Sequence, residues 1–83
     1  LQGKVAIVTG GNGGIGLGMA RGLADAGASI VIAARDEAKS QAAVTDLAAR
    51  GVRAAAVATD VTDPASVGRL VETTARDFGR IDI

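Results

Sequence analysis

Short apolar runs alternate along the chain with longer amphipathic stretches. Val5 to Val8 is a continuous apolar run, and Ala28 to Ala34 is apolar except for Ser29; both are typical of strands buried on both faces of a parallel sheet. Arg53 to Thr59, in which Ala54 to Ala58 are wholly apolar, is a third candidate strand, although its Ala-rich centre could equally be helical on propensity alone. The flanking Gly51 and the Asp63-Pro64 pair favour a strand there.

Each apolar run is followed by a stretch with helical periodicity. In the first stretch, one face is predicted to be buried against a sheet and carries Ile15, Met19, Leu23 and Ala26. A second helix is predicted from a cap at Asp36 to about Arg50, with its buried face carrying Ala38, Ala42, Leu47 and Ala48. A third begins at Thr62-Asp63-Pro64 and ends near Gly79, with its buried face carrying Val67, Leu70, Val71, Thr74 and Phe78.

The order of these elements predicts an α/β fold. Ile81 to Ile83 would open a fourth strand, so the chain has a β-α-β-α-β-α-β start. Successive right-handed crossovers then generate an open parallel sheet with flanking helices and spatial order 3-2-1-4. Eighty-three residues fit either one small domain or part of a larger one, because a chain of this length buries only about 60–65% of its unfolded surface and is marginally stable alone.

Composition excludes several classes of partner and site. Lys plus Arg and Asp plus Glu number nine each, so no basic field exists to attract nucleic acid or an anionic membrane surface. Cys and His are absent, which excludes disulfides and the usual transition-metal ligands, and no metal site is predicted. The lack of Cys is compatible with a cytoplasmic location. No apolar run approaches the roughly 20 residues of a membrane span.

The glycine cluster between the first run and the first helix predicts a phosphate site. It fits G-x-G-x-x-G through Gly11, Gly13 and Gly16, and T-G-x-x-x-G-x-G through Thr9, Gly10, Gly14 and Gly16. A Walker loop is excluded because no Gly-Lys-Ser/Thr follows. A turn that merely reverses the chain is the structural alternative, but the position between a buried strand and an amphipathic helix favours a dinucleotide pyrophosphate at the helix N-terminus.

The end of the second strand indicates which dinucleotide binds. Ala34 stands where an acidic residue would hold the ribose hydroxyls, and Arg35 follows it. A guanidinium can pair bidentately with a 2′-phosphate, so Arg35 favours NADP, with NAD possible. Alternatively Arg35 is simply solvated and Asp36 holds the ribose. After the third strand, Asp60 could accept from the adenine amino group and Val61 could cover the ring, although Asp60 could equally be a turn residue.

These segments together resemble the N-terminal part of the classical short-chain dehydrogenase/reductase family. Thr9 to Gly16 matches the family motif T-G-x-x-x-G-I-G, and Lys4 to Thr9 matches the strand before it. Asp60-Val61 matches the adenine-contacting pair, and Phe78 to Ile83 resembles the stretch leading into the fourth strand. The resemblance covers the whole chain and implies that residues 1–83 are the N-terminal half of a Rossmann dinucleotide-binding domain.

The resemblance also implies an activity. It is hydride transfer between an alcohol and a carbonyl with a nicotinamide cofactor, in a complete enzyme that is a homo-oligomer, either a tetramer or a dimer. Asn12 and Ile15 would contact the phosphates, and Gly13 stands where some NADP-preferring relatives carry a basic residue. Leu17 to Arg21 is similar to the corresponding stretch of sugar-acid and polyol-type members.

The family's catalytic Ser, Tyr and Lys are expected beyond Ile83, and this chain contains no Tyr. No catalytic residue is therefore assigned, and the chain is expected to carry the cofactor-binding portion only. A non-catalytic nucleotide-binding half-domain remains the alternative. A Rossmann-like methyltransferase is a third hypothesis, although that chemistry usually needs an acidic residue where Arg35 stands.

Overall fold

A computed structural model describes residues 1–83. Strands and helices alternate as predicted, and the Ala-rich third run is a strand. The elements are β1 Val5–Thr9, α1 Gly14–Asp25, β2 Ser29–Ala34, α2 Glu37–Ala48, β3 Ala54–Ala58 and α3 Pro64–Phe78.

The three strands form one parallel sheet with β2 in the centre. Val5 pairs with Ser29 across β1 and β2, and Ile30 pairs with Ala54 across β2 and β3. The end of the chain runs beside the other edge of β1, where the N–H of Ile7 donates to the oxygen of Ile83 at 2.9 Å. Residues 81–83 form no regular strand, yet they lie where the predicted order 3-2-1-4 requires a fourth one.

The core lies on both faces of β2. Ile30 and Ile32 are fully buried with Leu47 on the face covered by α1 and α2. Val31 is buried with Leu70 on the opposite face, which α3 covers. The sheet is therefore covered by helices on both faces, as the apolar centre of β2 from Ile30 to Ala33 requires.

Local signals fix the helix ends. Asp36 caps α2 by accepting from the N–H of Lys39 at 3.0 Å, and Asp63 caps α3 by accepting from the N–H of Ala65 at 3.0 Å. Gly79 ends α3 in the left-handed conformation with φ +81°. The cap at Asp36 and the stop at Gly79 were predicted correctly, and of the two residues predicted as alternative caps of α3, Thr62 and Asp63, it is Asp63 that caps the helix.

The predicted buried face of α1 was wrong except at Leu23, which is partly buried against the core. Ile15 and Met19 are 84% and 61% exposed, whereas Ala20 and Ala24 are buried against the sheet. The helix is rotated because Gly16, Ala20 and Ala24 let its backbone approach the sheet closely. Hydrophobic periodicity gives more weight to Ile and Met than to these small residues, so it selected the neighbouring face.

The predicted faces of α2 and α3 were correct only in part. In α2 Leu47 is buried as predicted, but the other buried residues are Ser40 and Ala43, while the three predicted alanines are exposed: Ala38, Ala42 and Ala48. In α3 Leu70 and Thr74 are buried, and Val71 is 46% exposed. An Ala-rich helix such as α2 offers little contrast between its faces.

Candidate functional site

The glycine turn joins β1 to α1 at the carboxyl edge of the sheet. The N–H of Gly10 donates to the oxygen of Ala33 at 2.9 Å, which fixes the turn to the end of β2. Gly10 and Gly14 have φ values of +66° and +56°, a conformation that side-chain-bearing residues rarely adopt. The sequence therefore needs glycine at these two positions for the backbone to turn.

The geometry favours the T-G-x-x-x-G-x-G register. Gly16 packs so closely on Gly10 that an added Cβ would lie 2.8 Å from the Gly10 carbonyl carbon. Gly13 is extended, with φ −175°, and its position would accept other residues. Gly11 is buried, and an added Cβ would meet the Ile32 side chain at 2.7 Å. Backbone conformation requires glycine at Gly10 and Gly14, and a backbone contact requires it at Gly16, whereas Gly11 is restricted by side-chain packing.

The N-terminus of α1 is open to an anion. Gly13 caps the helix without a side-chain hydrogen bond, and the first turn has no acidic residue. The N–H groups of Gly14, Ile15 and Gly16 precede the first intrahelical partner and carry the positive end of the helix dipole. Because the Ile15 side chain is exposed, Ile15 contributes to this turn through its backbone.

Asn12 ties the glycine turn to the turn between β2 and α2. Its Nδ2 lies 3.5 Å from the oxygen of Asp36 and 3.4 Å from the Oγ of Ser40. Ser40 is buried, so it gives Asn12 a fixed partner. Asn12 therefore holds two of the predicted binding segments together, and its carboxamide is not free to reach a phosphate without giving up these contacts.

Arg35 and Asp36 have different environments. Asp36 uses its Oδ1 to cap α2. Arg35, directly after the last residue of β2, is exposed and has no ion pair with any carboxylate. The guanidinium is therefore available to an anionic ligand, whereas half of the Asp36 carboxylate is already used.

Asp60 is both a turn residue and a free acceptor. Its Oδ1 accepts from the hydroxyl of Thr62 at 2.6 Å and from the N–H of Thr62 at 3.0 Å. These two bonds, with a smaller contribution from the positive charge of Arg35, hold the pKa of Asp60 below its ordinary value. Oδ2 makes no hydrogen bond within the chain, and the neighbouring Val61 is 60% exposed.

Two serines that sequence reasoning passed over position the site. Ser66, buried in the first turn of α3, accepts from the N–H of Asp60 at 2.9 Å and fixes the loop before α3. Ser40 holds Asn12 in the same way. Neither lies in a recognisable motif, and their roles depend on which helix face is buried, so no signal in the sequence identifies them.

The glycine turn leaves room for a ligand beside its backbone. A Cβ added at Gly10 or Gly14 would meet no atom within 4 Å, so open space lies beside both backbones. The one cavity, of about 220 Å³, lies between α2 and the ends of β2 and β3 and contains none of the predicted binding residues. The helices are too short or too polar to cross a membrane.

The comparisons with known proteins agree with this geometry. The family model described as short chain dehydrogenase matches residues 4–83. The hydroxynaphthalene reductase-like protein Arp2 of Metarhizium robertsii is 44% identical over all of this chain and 32% of its own length.

Two solved structures share the fold. NAD+-bound xylitol dehydrogenase superposes with a TM-score of 0.95 at 37% identity, over 98% of this chain and 31% of its own. L-sorbose reductase from Gluconobacter frateurii, complexed with NADPH and L-sorbose, gives 0.94 at 42% identity, over 99% of this chain and 32% of its own. The chain spans about a third of the length of these relatives. With the family model matching nearly every residue, the chain belongs to the short-chain dehydrogenase family.

Proposed function

We propose that this chain supplies the cofactor-binding portion of an NAD(P)-dependent oxidoreductase that transfers hydride between an alcohol and a carbonyl. Residues 1–83 would be the N-terminal half of its Rossmann domain. The observation that carries the proposal is the uncapped N-terminus of α1, opened by Gly10 and Gly14 at the carboxyl edge of a parallel sheet. Family membership and the cofactors in the two solved relatives support it.

The pyrophosphate would lie against the first turn of α1. The N–H groups of Gly14, Ile15 and Gly16 would donate to its oxygens, since no carbonyl of the helix accepts from them. Gly10 and Gly13 would leave room for the approach, and Asn12 would keep the turn in place through its contacts with the second turn.

The adenosine half would lie across the ends of β2 and β3. The free Oδ2 of Asp60 would accept from the adenine amino group, and Val61 would cover one face of the ring. An ordinary Asp carboxylate is ionised at neutral pH, and the pKa of Asp60 is lowered further by its hydrogen bonds to Thr62, so its carboxylate is an acceptor there.

We propose NADP as the preferred cofactor because Arg35, at the end of β2, is exposed and forms no ion pair with a carboxylate. Its guanidinium would pair with the 2′-phosphate, a contact that NAD cannot make. Of the two solved relatives, one holds NADPH and the other NAD+, so family membership alone does not decide this preference.

The bound nicotinamide would supply or accept the hydride, and this chain's residues would bind and orient the adenosine and pyrophosphate. None of residues 1–83 is assigned a catalytic role. We propose a sugar or polyol substrate, supported by the xylitol dehydrogenase and the sorbose reductase among the relatives. The homo-oligomer and the cytoplasmic location stay predictions.

Titration calorimetry of the full-length protein with NADPH and NADH tests the proposal. Gly14→Ala and Gly51→Ala form a matched pair, because both glycines have positive φ and open space at the Cβ position, but only Gly14 lies at the turn. We expect Gly14→Ala to raise the dissociation constants at least about tenfold. Alanine is strained at the positive φ of position 14 and should displace the turn, which corresponds to the loss of about one charge-assisted hydrogen bond. Gly51→Ala should leave the affinity unchanged.

Two results would overturn the proposal. One is a folded protein that binds neither dinucleotide. The other is equal affinity in the two variants. Binding of 5′-AMP as tightly as of either dinucleotide would instead favour the non-catalytic nucleotide-binding half-domain.

A further inference from the structure

We propose that Lys39 supplies a second cation for the 2′-phosphate of NADP, from the first turn of α2 and not from the glycine turn. The inference rests on the proposed function, since it assigns a specificity residue within the same dinucleotide site. Nothing in the sequence pattern singles out Lys39. In the sequence it is only one of the polar residues of the second predicted helix.

The position of the Lys39 ammonium carries the proposal. Its Nζ lies 3.6 Å, and its Cε 3.8 Å, from the point that a Cβ at Gly13 would occupy. A basic side chain at position 13 would begin at this point. Lys39 therefore brings a positive charge to the same side of the glycine turn, although it comes from a different element.

The backbone of Lys39 is held in place. Its N–H donates to Oδ1 of the capping Asp36 at 3.0 Å, so the start of α2 fixes where the side chain leaves the helix. Asn12 closes the same region from the glycine turn through its contacts with Asp36 and Ser40. The long side chain then has only to extend along the glycine turn to reach a ligand.

Lys39 and Arg35 reach the end of β2 from two sides. Lys39 lies beside Gly13, and Arg35 lies near enough to Asp60 for its charge to act on that carboxylate. A 2′-phosphate at the end of β2 would thus meet one cation from the glycine turn side and another from the β3 side. Two separate cations suit a phosphate dianion, which one guanidinium neutralises only in part.

Neither Lys39 nor Arg35 forms an ion pair within the chain. Four other arginines form ion pairs with aspartates: Arg21, Arg50, Arg76 and Arg80. Lys39 has no such partner within 4.0 Å, and the Oδ1 of nearby Asp36 is occupied by the Lys39 N–H. A bound phosphate would not have to displace an existing ion pair.

Titration calorimetry of the full-length Lys39→Gln variant with NADPH and with NADH tests this assignment. We expect the dissociation constant for NADPH to rise about tenfold, because one charge-assisted contact is lost, while that for NADH changes less than about twofold. Lys4→Gln is the control: Lys4 precedes β1 at the opposite end of the strand, and its replacement should change neither constant.

A rescue variant separates the charge from the side chain that carries it. Gly13→Lys in the Lys39→Gln background places a basic residue on the same side of the turn, and we expect it to restore most of the lost NADPH affinity. Circular dichroism verifies that each variant is folded.

The outcomes separate the two claims. Wild-type protein that binds neither dinucleotide overturns the proposed function, and the Lys39 assignment falls with it. Wild-type protein that prefers NADPH, with Lys39→Gln unchanged or with NADPH and NADH weakened equally, overturns the Lys39 assignment alone. A protein that binds NADH but not NADPH overturns both the assignment and the preference for NADP.

Discussion

The carbonyl group of Gly10 lies against the backbone of Gly16. A Cβ at Gly16 would be 2.8 Å from the Gly10 carbonyl carbon, nearer still to the carbonyl oxygen, and 3.2 Å from the Cα of Gly11. This contact joins the end of β1 to the first turn of α1 and determines how close the helix lies to the sheet. The geometry of the glycine turn therefore depends on a packing contact between two glycines.

Gly16→Ala should destabilise the protein, and Gly18→Ala should not. Alanine at position 16 must push two backbone segments apart, which we expect to cost about 1–3 kcal/mol. Gly18 lies in the same helix with nothing within 4 Å of its Cβ position, so alanine there should stabilise the helix by up to about 1 kcal/mol. Urea unfolding of both variants measures the difference. Equal unfolding midpoints would show that the Gly10–Gly16 contact has no such role.

The same contact shows what the sequence could and could not predict. The buried central strand could be predicted because residues Ile30 to Ala33 are all apolar. The glycine turn could be predicted because positions 10 and 14 have positive φ values that favour glycine. The buried face of α1 could not be predicted. It is determined by close backbone packing at Gly16, and the pattern of hydrophobic residues contains no information about that contact.

Among the site residues, too, local features could be predicted from the sequence and contacts between distant segments could not. Local chemistry predicted the cap at Asp36, which the structure confirms. Contacts between segments distant in sequence could not be predicted, since they depend on helix rotation. Asn12 with Ser40, Asp60 with Ser66, and Lys39 beside Gly13 are all of this kind.

Arg35→Asp should shift the cofactor preference from NADP towards NAD. The substitution removes a cation and places a carboxylate against the 2′-phosphate, so we expect NADPH binding to weaken by about 10- to 100-fold. NADH binding should change little. Titration calorimetry measures both, with Arg69→Asp as the control because Arg69 is an exposed arginine on α3 that makes no ion pair. An unchanged ratio of the two affinities would remove Arg35 from the site.

Ser66→Ala should loosen the loop that carries Asp60 and Val61. The buried hydroxyl accepts from the Asp60 N–H, and its removal leaves that donor without a partner, at a cost of about 1–3 kcal/mol. Thr74→Val is the matched control: it removes a buried hydroxyl from the same helix, one that donates only to the Leu70 carbonyl. Hydrogen exchange should show faster exchange at Asp60 only in Ser66→Ala. Unchanged protection of Asp60 would contradict this role.

Asp82 should make the free energy of unfolding fall as the pH is lowered into the acid range. Hydrogen bonds from Arg80 and then from the Val5 N–H hold the pKa of Asp82 below its ordinary value of 3.8. A carboxyl whose pKa is depressed on folding stabilises the protein above its unfolded pKa of about 3.9, and that contribution is lost as pH falls through the folded pKa. NMR titration should give Asp82 a midpoint below 3.8, and Asp82→Asn should reduce the loss of stability in acid. A midpoint at or above that value would contradict the assignment.

The most direct test of the dinucleotide site is a crystal structure of the full-length protein with NADPH. We predict pyrophosphate oxygens at hydrogen-bonding distance, about 2.7–3.2 Å, from backbone N–H groups of the first turn of α1, among Gly14, Ile15 and Gly16. The 2′-phosphate should lie at the end of β2 beside Arg35. A cofactor bound elsewhere, or one whose pyrophosphate makes no contact with this turn, would contradict the account.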